Sequence, residues 1–269
     1  MIIKASALRL RKSRGEHFLL IDVRDTAEWQ AGSLPDAQHC NVYDYFIADS
    51  SPAGLAAMAA DAAAALQPLF DRYPAAMPVF FEQQVGMRSP RGAWFAWLLG
   101  RDDALILDGG VDAWLELGGE LQPGTGRSYT VTQEATSAAV PWDSHWVSSR
   151  QQVINADGKT VVNVDARRLS EFDGSFVHAC CHRAGRIPHS KLLFWEDVLE
   201  NGRFRSAADI ARRAEAAGLP RGAQLQVYCH RGARAATVLA ALKLAGYPQV
   251  AIYVGSWHEW ADHDELPVG

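Results

Sequence analysis

An internal repeat restricts the fold of this chain more than any other feature, because self-similarity at a long fixed offset means one architecture built twice. Leu20-Ile21-Asp22-Val23-Arg24, followed by Glu28-Trp29, returns as Val162-Asn163-Val164-Asp165-Ala166-Arg167, followed by Glu171-Phe172. Both copies keep the spacing Asp-x-Arg-x-x-x-Glu-aromatic, and Asp22 and Asp165 lie 143 positions apart. Further along, Asp108-Gly109-Gly110-Val111-Asp112-Ala113-Trp114 aligns with Val254-Gly255-Ser256-Trp257-His258-Glu259-Trp260, and Gly100 with Gly246, at an offset of 146. Ordered matches at a nearly constant offset predict two similar domains, over 1–121 and 143–269. A chain of 269 residues can give each its own core. Residues 122–142, rich in Pro, Gly, Ser and Thr and without helical period, read as a linker crossing the surface.

Within the first domain, strands are predicted over Phe18 to Val23, Pro78 to Phe81 and Ala104 to Leu107, with helical pattern over Ala53 to Leu69 and Gly92 to Leu99. The second repeats this with strands over Thr160 to Val164, Leu192 to Phe194, Gln224 to Tyr228 and Val250 to Val254, and helices near Ser206 to Ala217 and Ala235 to Leu244. Strands alternating with helices predict an α/β fold, a mainly parallel sheet with helices on both faces.

Charge narrows the partners. A net charge of -5 with no basic run speaks against generic nucleic-acid binding. The most basic patch, Arg9 to Arg14, reads as one solvated helix face. No uninterrupted apolar stretch follows the first charges, so neither a signal peptide nor a membrane span is expected, and the cytoplasm is the default location. Four cysteines at irregular spacing, Cys40, Cys180, Cys181 and Cys229, suit reduced thiols better than a disulfide framework.

The chemistry is concentrated in Gln226 to Gly246, QVYCHRGARAATVLAALKLAG. A short β-branched and aromatic run ends at Cys229. After the loop, Ala and Leu recur at helical spacing up to a glycine stop. Cys229 thus falls at the carboxyl end of a strand, under the loop Cys229-His230-Arg231-Gly232-Ala233-Arg234 and beside a helix amino-terminus. Free N–H groups there carry partial positive charge, Gly232 lets the loop curl so that more of them point inward, and Arg231, Arg234 and His230 add cationic character. A thiol whose free pKa is about 8.5 is expected to ionise near neutrality in such a place, and the thiolate is the nucleophile. A core cysteine has no need of a glycine-bearing, doubly basic turn.

Loop length separates two chemistries. A phosphatase loop needs its arginine six positions after the cysteine, where this chain has Ala235; the arginine comes one residue earlier, at 234. Cys-x-x-Gly-x-Arg resembles the active-site loop of rhodanese-type sulfurtransferases. The stretch Tyr253-Val254-Gly255-Ser256-Trp257 resembles the Asp-Gly-Ser-Trp segment of their tandem members, with Val254 in the aspartate's place. The resemblance covers nearly the whole chain and implies two tandem rhodanese-like domains. It implies that Cys229 takes sulfane sulfur from thiosulfate or a related small anionic donor and passes it to a thiol, to cyanide or to a sulfur-acceptor protein. His230, Arg231, Gly232, Ala233 and Arg234 would bind the substrate, with no cofactor and no metal. A 3-mercaptopyruvate sulfurtransferase, or a persulfide-carrying regulatory module with little turnover, is the alternative. In the first domain Glu82 falls where the nucleophile would stand, which implies a silent domain contributing a wall of the substrate cleft.

Several residues test these expectations. Arg234 can serve substrate or hold the loop. Glu171 stands where family members resemble one another in a donor-binding arginine, and a carboxylate there repels an anionic donor unless it faces away. Asp22, Arg24, Asp165 and Arg167 read as strand-end groups tying loops together. Trp257 is a candidate cleft residue. His178-Ala179-Cys180-Cys181-His182 is an unusual insertion: a soft metal accepts such ligands and a nearby thiol can resolve a persulfide. Adjacent cysteines cannot easily both face one tetrahedral ion, however, and no second Cys-x-x-Cys or His pair completes a zinc pattern. His189 replaces the glycine usual after Ile-Pro, with no reason visible in the sequence.

Overall fold

The apolar runs shared by the two repeats become the inner strands of two parallel sheets. The computed structural model describes residues 1–133 and 140–269. The part of the expected linker over 134–139 lies outside the described residues.

In the first half the elements are β1 (Ile2–Lys4), α1 (Ala5–Ser13), β2 (Phe18–Asp22), α2 (Thr26–Ala31), β3 (Gln38–Asn41), α3 (Pro52–Arg72), β4 (Met77–Phe81), α4 (Arg88–Leu98), β5 (Leu105–Asp108), α5 (Gly110–Glu116) and β6 (Ser128–Thr130). The second half contains α6 (Arg150–Ile154), β7 (Val161–Asp165), α7 (Leu169–Phe172), β8 (Lys191–Leu192), β9 (Leu199–Glu200), β10 (Arg203–Phe204), α8 (Ala207–Ala216), β11 (Gln224–Tyr228), α9 (Ala233–Leu244), β12 (Val250–Ile252) and α10 (Ser256–Ala261).

The first sheet runs β1-β5-β4-β2-β3-β6 and the second β12-β11-β7-β8, with parallel pairing throughout both. The order β5-β4-β2-β3 in the first matches β12-β11-β7-β8 in the second, so the repeat seen in sequence is a repeat of topology. Even the edge strand β1 has a remnant, since Ile2 pairs with Ile106 in the first copy and Val147 bridges Ile252 in the second. β6 is a difference from expectation. It lies inside the stretch read as a linker, yet Ser128–Thr130 pairs with β3 and extends the sheet. Three residues of Ser, Tyr and Thr are too short to show a strand period.

Alternation along the strands covers both faces of the first sheet. Leu20, Val79, Phe81 and Leu107 point to one side, against Ala5 and Leu8 of α1 and Val111 and Ala113 of α5. Leu19, Ile21, Phe80 and Ile106 are buried on the other. There Gly92 of α4 lies so close to the Phe80 ring that a Cβ would stand 2.5 Å from its Cδ1, which is why the helix carries a glycine. α3 is long and apolar enough to cross a membrane by length and composition, but Met58, Ala59, Ala62, Leu66 and Leu69 are buried in the protein, as a core helix requires.

The chain forms two compact units whose membership departs from simple sequence halves. The first comprises Met1–Tyr45, Ala56–Asp143 and Asn201–Phe204; the second comprises Phe46–Leu55, Ser144–Glu200 and Arg205–Gly269. Residues 46–55, which the repeat assigns to the first domain, therefore belong to the unit that carries Cys229. In that unit Ser50 is fixed by Glu259 of α10, whose carboxylate accepts the Ser50 backbone N–H at 2.9 Å and its hydroxyl at 2.6 Å.

His189 now has a physical account. Its φ is +59°, in the left-handed region where a Cβ is crowded and glycine is the natural occupant. The side chain is exposed, so its removal sacrifices little packing. Relief of the left-handed strain, about 1–2 kcal/mol, outweighs the extra chain entropy of glycine, about 0.5–1 kcal/mol. His189→Gly is expected to raise stability by about 0.5–1 kcal/mol, read as a higher urea midpoint at unchanged slope; a lower midpoint would show that the imidazole contributes more than the strain costs.

Candidate active site

β11 delivers Cys229 at its carboxyl end, and four residues turn the chain into α9. The turn depends on Gly232, whose φ is +88° and whose missing Cβ would lie 3.0 Å from the Val254 carbonyl oxygen. In this conformation the Gly232 N–H points at the Cys229 sulfur, 3.1 Å from Sγ. Ala233 is the first residue of α9 and adds only a methyl group. The base of the loop is pinned to the start of α10: Trp257 N–H donates to the Cys229 carbonyl and His258 N–H to the His230 carbonyl, both at 3.0 Å. Ser256 Oγ accepts the Cys229 N–H at 3.2 Å and donates to the Tyr253 carbonyl at 2.9 Å. Ser256 holds φ +57°, and its counterpart in the other repeat, Gly110, holds +55°. The copy that contains Cys229 keeps a left-handed serine, a costly choice, at the point where its hydroxyl holds the Cys229 backbone.

The first repeat shows what occupies the same place when the cysteine is gone. Val111 N–H donates to the Glu82 carbonyl and Asp112 N–H to the Gln83 carbonyl, the same two bonds that Trp257 and His258 make to Cys229 and His230. Glu82 is thus the structural counterpart of Cys229. Its carboxylate accepts the N–H groups of Gly86 at 3.0 Å, Arg88 at 3.0 Å and Ser89 at 2.8 Å, and the Ser89 hydroxyl at 2.9 Å. The loop remains an anion cradle filled by the protein's own carboxylate.

The two loop arginines have different surroundings. Arg234 lays both ends of its guanidinium fork on Glu171, at 2.6 and 2.9 Å, the bidentate geometry that makes such pairs strong. The partners retain 14% and 3% side-chain exposure. Glu171 also takes a hydrogen bond from His178 Nε2 at 2.9 Å. Burial alone would push the Glu171 carboxyl up; the Arg234 fork, then His178 and the Arg168 backbone, override it and hold it at about 2. The carboxylate does not stand bare before a donor, because it anchors the loop. Arg231 lies over the Phe46 ring, 4.3 Å from its centroid, and that ring meets His258 edge-on at 5.7 Å.

His230 packs face to face on His178, with centroids 3.9 Å apart and planes within 10°. Burial first, then His178, Arg231, Arg234 and His258, push its pKa down to about 3, so its imidazole is neutral at physiological pH. It therefore adds no cation to the loop, contrary to its reading from sequence. Beneath the loop, Arg167 makes a three-bond fork with Asp165 and donates to the Gly185 carbonyl at 2.8 Å. Arg24 and Asp22 repeat that arrangement toward the Gly32 carbonyl at 2.7 Å. Trp257 covers Arg167 at 4.7 Å and is 2% exposed, which makes it a core residue of the second unit and not a cleft residue.

The insertion at 178–182 also differs from expectation. Cys181 N–H donates to the His178 carbonyl at 2.9 Å, closing a turn that brings both sulfurs to one nitrogen: Cys180 Sγ is 3.4 Å and Cys181 Sγ 3.6 Å from His230 Nε2. The adjacent side chains converge. Phe46 and His258 were not singled out as site residues in the sequence. Phe46 lies in a stretch with no periodic pattern, whereas the closeness of His258 to the loop follows from the repeat's alignment of α5 with α10.

Comparison with known proteins places these features in context. A model of the rhodanese-like domain matches residues 5–117 and again 149–263. The chain is 26% identical over its full length, and over 96% of the relative, to a thiosulfate sulfurtransferase of Azotobacter vinelandii. It is 32% identical over 71% of the chain and 66% of the relative to a probable 3-mercaptopyruvate sulfurtransferase of Pseudomonas aeruginosa. A solved structure of a probable thiosulfate sulfurtransferase superposes with a TM-score of 0.66 at 25% identity, covering 93% of this chain and 96% of that one.

Removing one partner of a buried ion pair leaves the other charge uncompensated. Glu171→Gln is therefore expected to cost about 3 kcal/mol at neutral pH. The folded-state pKa of Glu171 is depressed, so its stabilisation is fully present above its ordinary value of 4.5 and is lost as pH falls toward 2. Urea midpoints of the wild type and Glu171→Gln, compared across that window, should converge as the pH drops; a constant gap would show that the carboxylate charge is not what holds the loop.

Proposed function

The chain belongs to the rhodanese-like domain family, and from that premise we propose that it moves sulfane sulfur from thiosulfate to a thiophilic acceptor through a persulfide on Cys229. The observation that carries this reading is the Gly232 N–H aimed at the Cys229 sulfur from the N-cap of a twelve-residue helix. In the first step the thiolate attacks the outer sulfur of the donor. An S–S bond forms to Cys229, the donor's own S–S bond breaks, and sulfite departs with the bonding pair. In the second step an acceptor thiolate or cyanide attacks the outer sulfur of the persulfide, and Cys229 leaves as the thiolate. This is covalent catalysis with two half-reactions, for which ping-pong kinetics are expected.

The loop's own groups supply the electrostatics. Gly232 N–H and the helix amino-terminus stabilise negative charge on sulfur before attack and on the persulfide after it. Glu171 offsets the charge of Arg234, so Arg234 sets loop shape, and attraction of a dianionic donor rests more on the loop amides and the helix amino-terminus. Cys229 is 1% exposed, which suits a compact donor and disfavours one with a bulky leaving group. The four thiols are all free, which suits a reducing compartment, and the cytoplasm is the proposed location. The second reading, 3-mercaptopyruvate as donor, is supported by the likeness to the Pseudomonas aeruginosa protein and uses the same persulfide.

Intact mass after brief incubation with each donor separates these readings. Thiosulfate is expected to add one sulfur atom, removable by cyanide and absent in Cys229→Ser, whose turnover should fall by several orders of magnitude. A gain with mercaptopyruvate alone would transfer the assignment to that donor. No gain with either would overturn the direct-donor mechanism.

A further inference from the structure

The insertion beside the loop carries three soft or borderline ligand atoms that the sulfur-transfer mechanism does not use. Cys180 Sγ, Cys181 Sγ and His230 Nε2 lie within 4.8 Å of one another. Both sulfurs converge on the same ring nitrogen, at 3.4 and 3.6 Å. One imidazole nitrogen carries either one proton or one lone pair, so it cannot form two good hydrogen bonds to two thiols. A metal ion at the centre of the three resolves that conflict. With bonds of about 2.3 Å to sulfur and about 2.0–2.1 Å to nitrogen, tetrahedral geometry separates sulfur from nitrogen by about 3.6 Å. The two separations, 3.4 and 3.6 Å, fall within about 0.2 Å of that value, so little movement of either sulfur relative to the nitrogen is needed.

The surroundings hold the ligands in place. The His178 ring, fixed by Glu171, stacks flat on His230 and sets its plane. The backbone bond from Cys181 to His178 fixes the turn, and Cys181 is packed in the core cluster of the second unit with Ile187, Tyr228 and Trp257. Cys180 is exposed, giving an ion a path in. We propose that Cys180, Cys181 and His230 form a binding site for a thiophilic closed-shell ion of the Zn(II) class. Two thiolates neutralise the ion's charge, and three protein ligands leave a fourth position open to water or a thiol. Because His230 directly follows Cys229, the site couples ion binding to the geometry of the sulfur-carrying loop. The site stands on its own geometry and does not depend on which donor loads Cys229.

The test uses the full chain, reduced and stripped of metal. Titration with Zn(II) against a chromophoric chelator is expected to show one equivalent bound by the wild type and by Cys229→Ser, and none by the Cys180→Ser/Cys181→Ser double variant. Co(II) in place of Zn(II) should give thiolate-to-metal charge-transfer absorption in the first two proteins and not in the third. Alkylation of the wild type followed by peptide mass analysis needs no variant to fold: Zn(II) should protect Cys180 and Cys181 together. Absence of stoichiometric binding, lack of protection at those two cysteines, or binding that survives the double variant and vanishes in Cys229→Ser would each overturn the assignment, the last by placing the ion on the catalytic thiolate.

Discussion

The buried Asp-x-Arg fork at the end of one inner strand of each sheet is the constraint on which the rest of the structure depends. Asp22 and Asp165 end β2 and β7 fully buried, where an unpaired carboxylate would be prohibitively costly. The arginine two residues on closes the pair, and the same terminal nitrogen that bonds the aspartate also donates to a glycine carbonyl in the loop that crosses the strand end. Such a pair does not guarantee net stability, since its desolvation offsets most of the attraction. It fixes geometry. In the second copy Arg167 lies against the rings of Tyr228 and Trp257, the residues just before Cys229 and just after Ser256, so the fork determines where the nucleophile's strand and its retaining helix meet.

Glu82 and Cys229 show how little of this apparatus is specific to reactivity. The two positions share their backbone bonds to the following helix, and in each the loop turns N–H groups toward the side chain: three onto the Glu82 carboxylate and one onto the Cys229 sulfur. One copy fills the cradle permanently with a carboxylate; the other leaves it to a sulfur that can change its bonding. The two loops differ in the side chain at this position and in Gly232, whose positive φ turns a single N–H onto the sulfur.

Fold and repeat were legible in the sequence because they rest on local patterns: short apolar and β-branched runs, helical spacing of Ala and Leu, and matching offsets. The strand-end forks were legible too, since both partners lie two residues apart. What could not be read was long-range pairing. Glu171 and Arg234 are 63 positions apart, and nothing in either neighbourhood announces that they neutralise each other. The convergence of Cys180 and Cys181 could not be read from their adjacency, because it comes from the turn closed by the Cys181 N–H on the His178 carbonyl, which brings both sulfurs to one side. β6 and the membership of residues 46–55 were missed for the opposite reason, that short segments without periodicity acquire structure only from what they pack against.

The carboxylate of Glu259 is fully buried, and Ser50 supplies two of its hydrogen bonds while Phe46 carries the Arg231 guanidinium. A duplicated gene ordinarily yields modules that can be cut apart and recombined. Here the unit that carries Cys229 includes ten residues encoded before the second repeat begins. A fragment starting after the repeat junction would bury a carboxylate stripped of half its partners and strand a loop cation without its aromatic platform. A cut at the repeat junction therefore does not coincide with the boundary of the folded unit that carries Cys229.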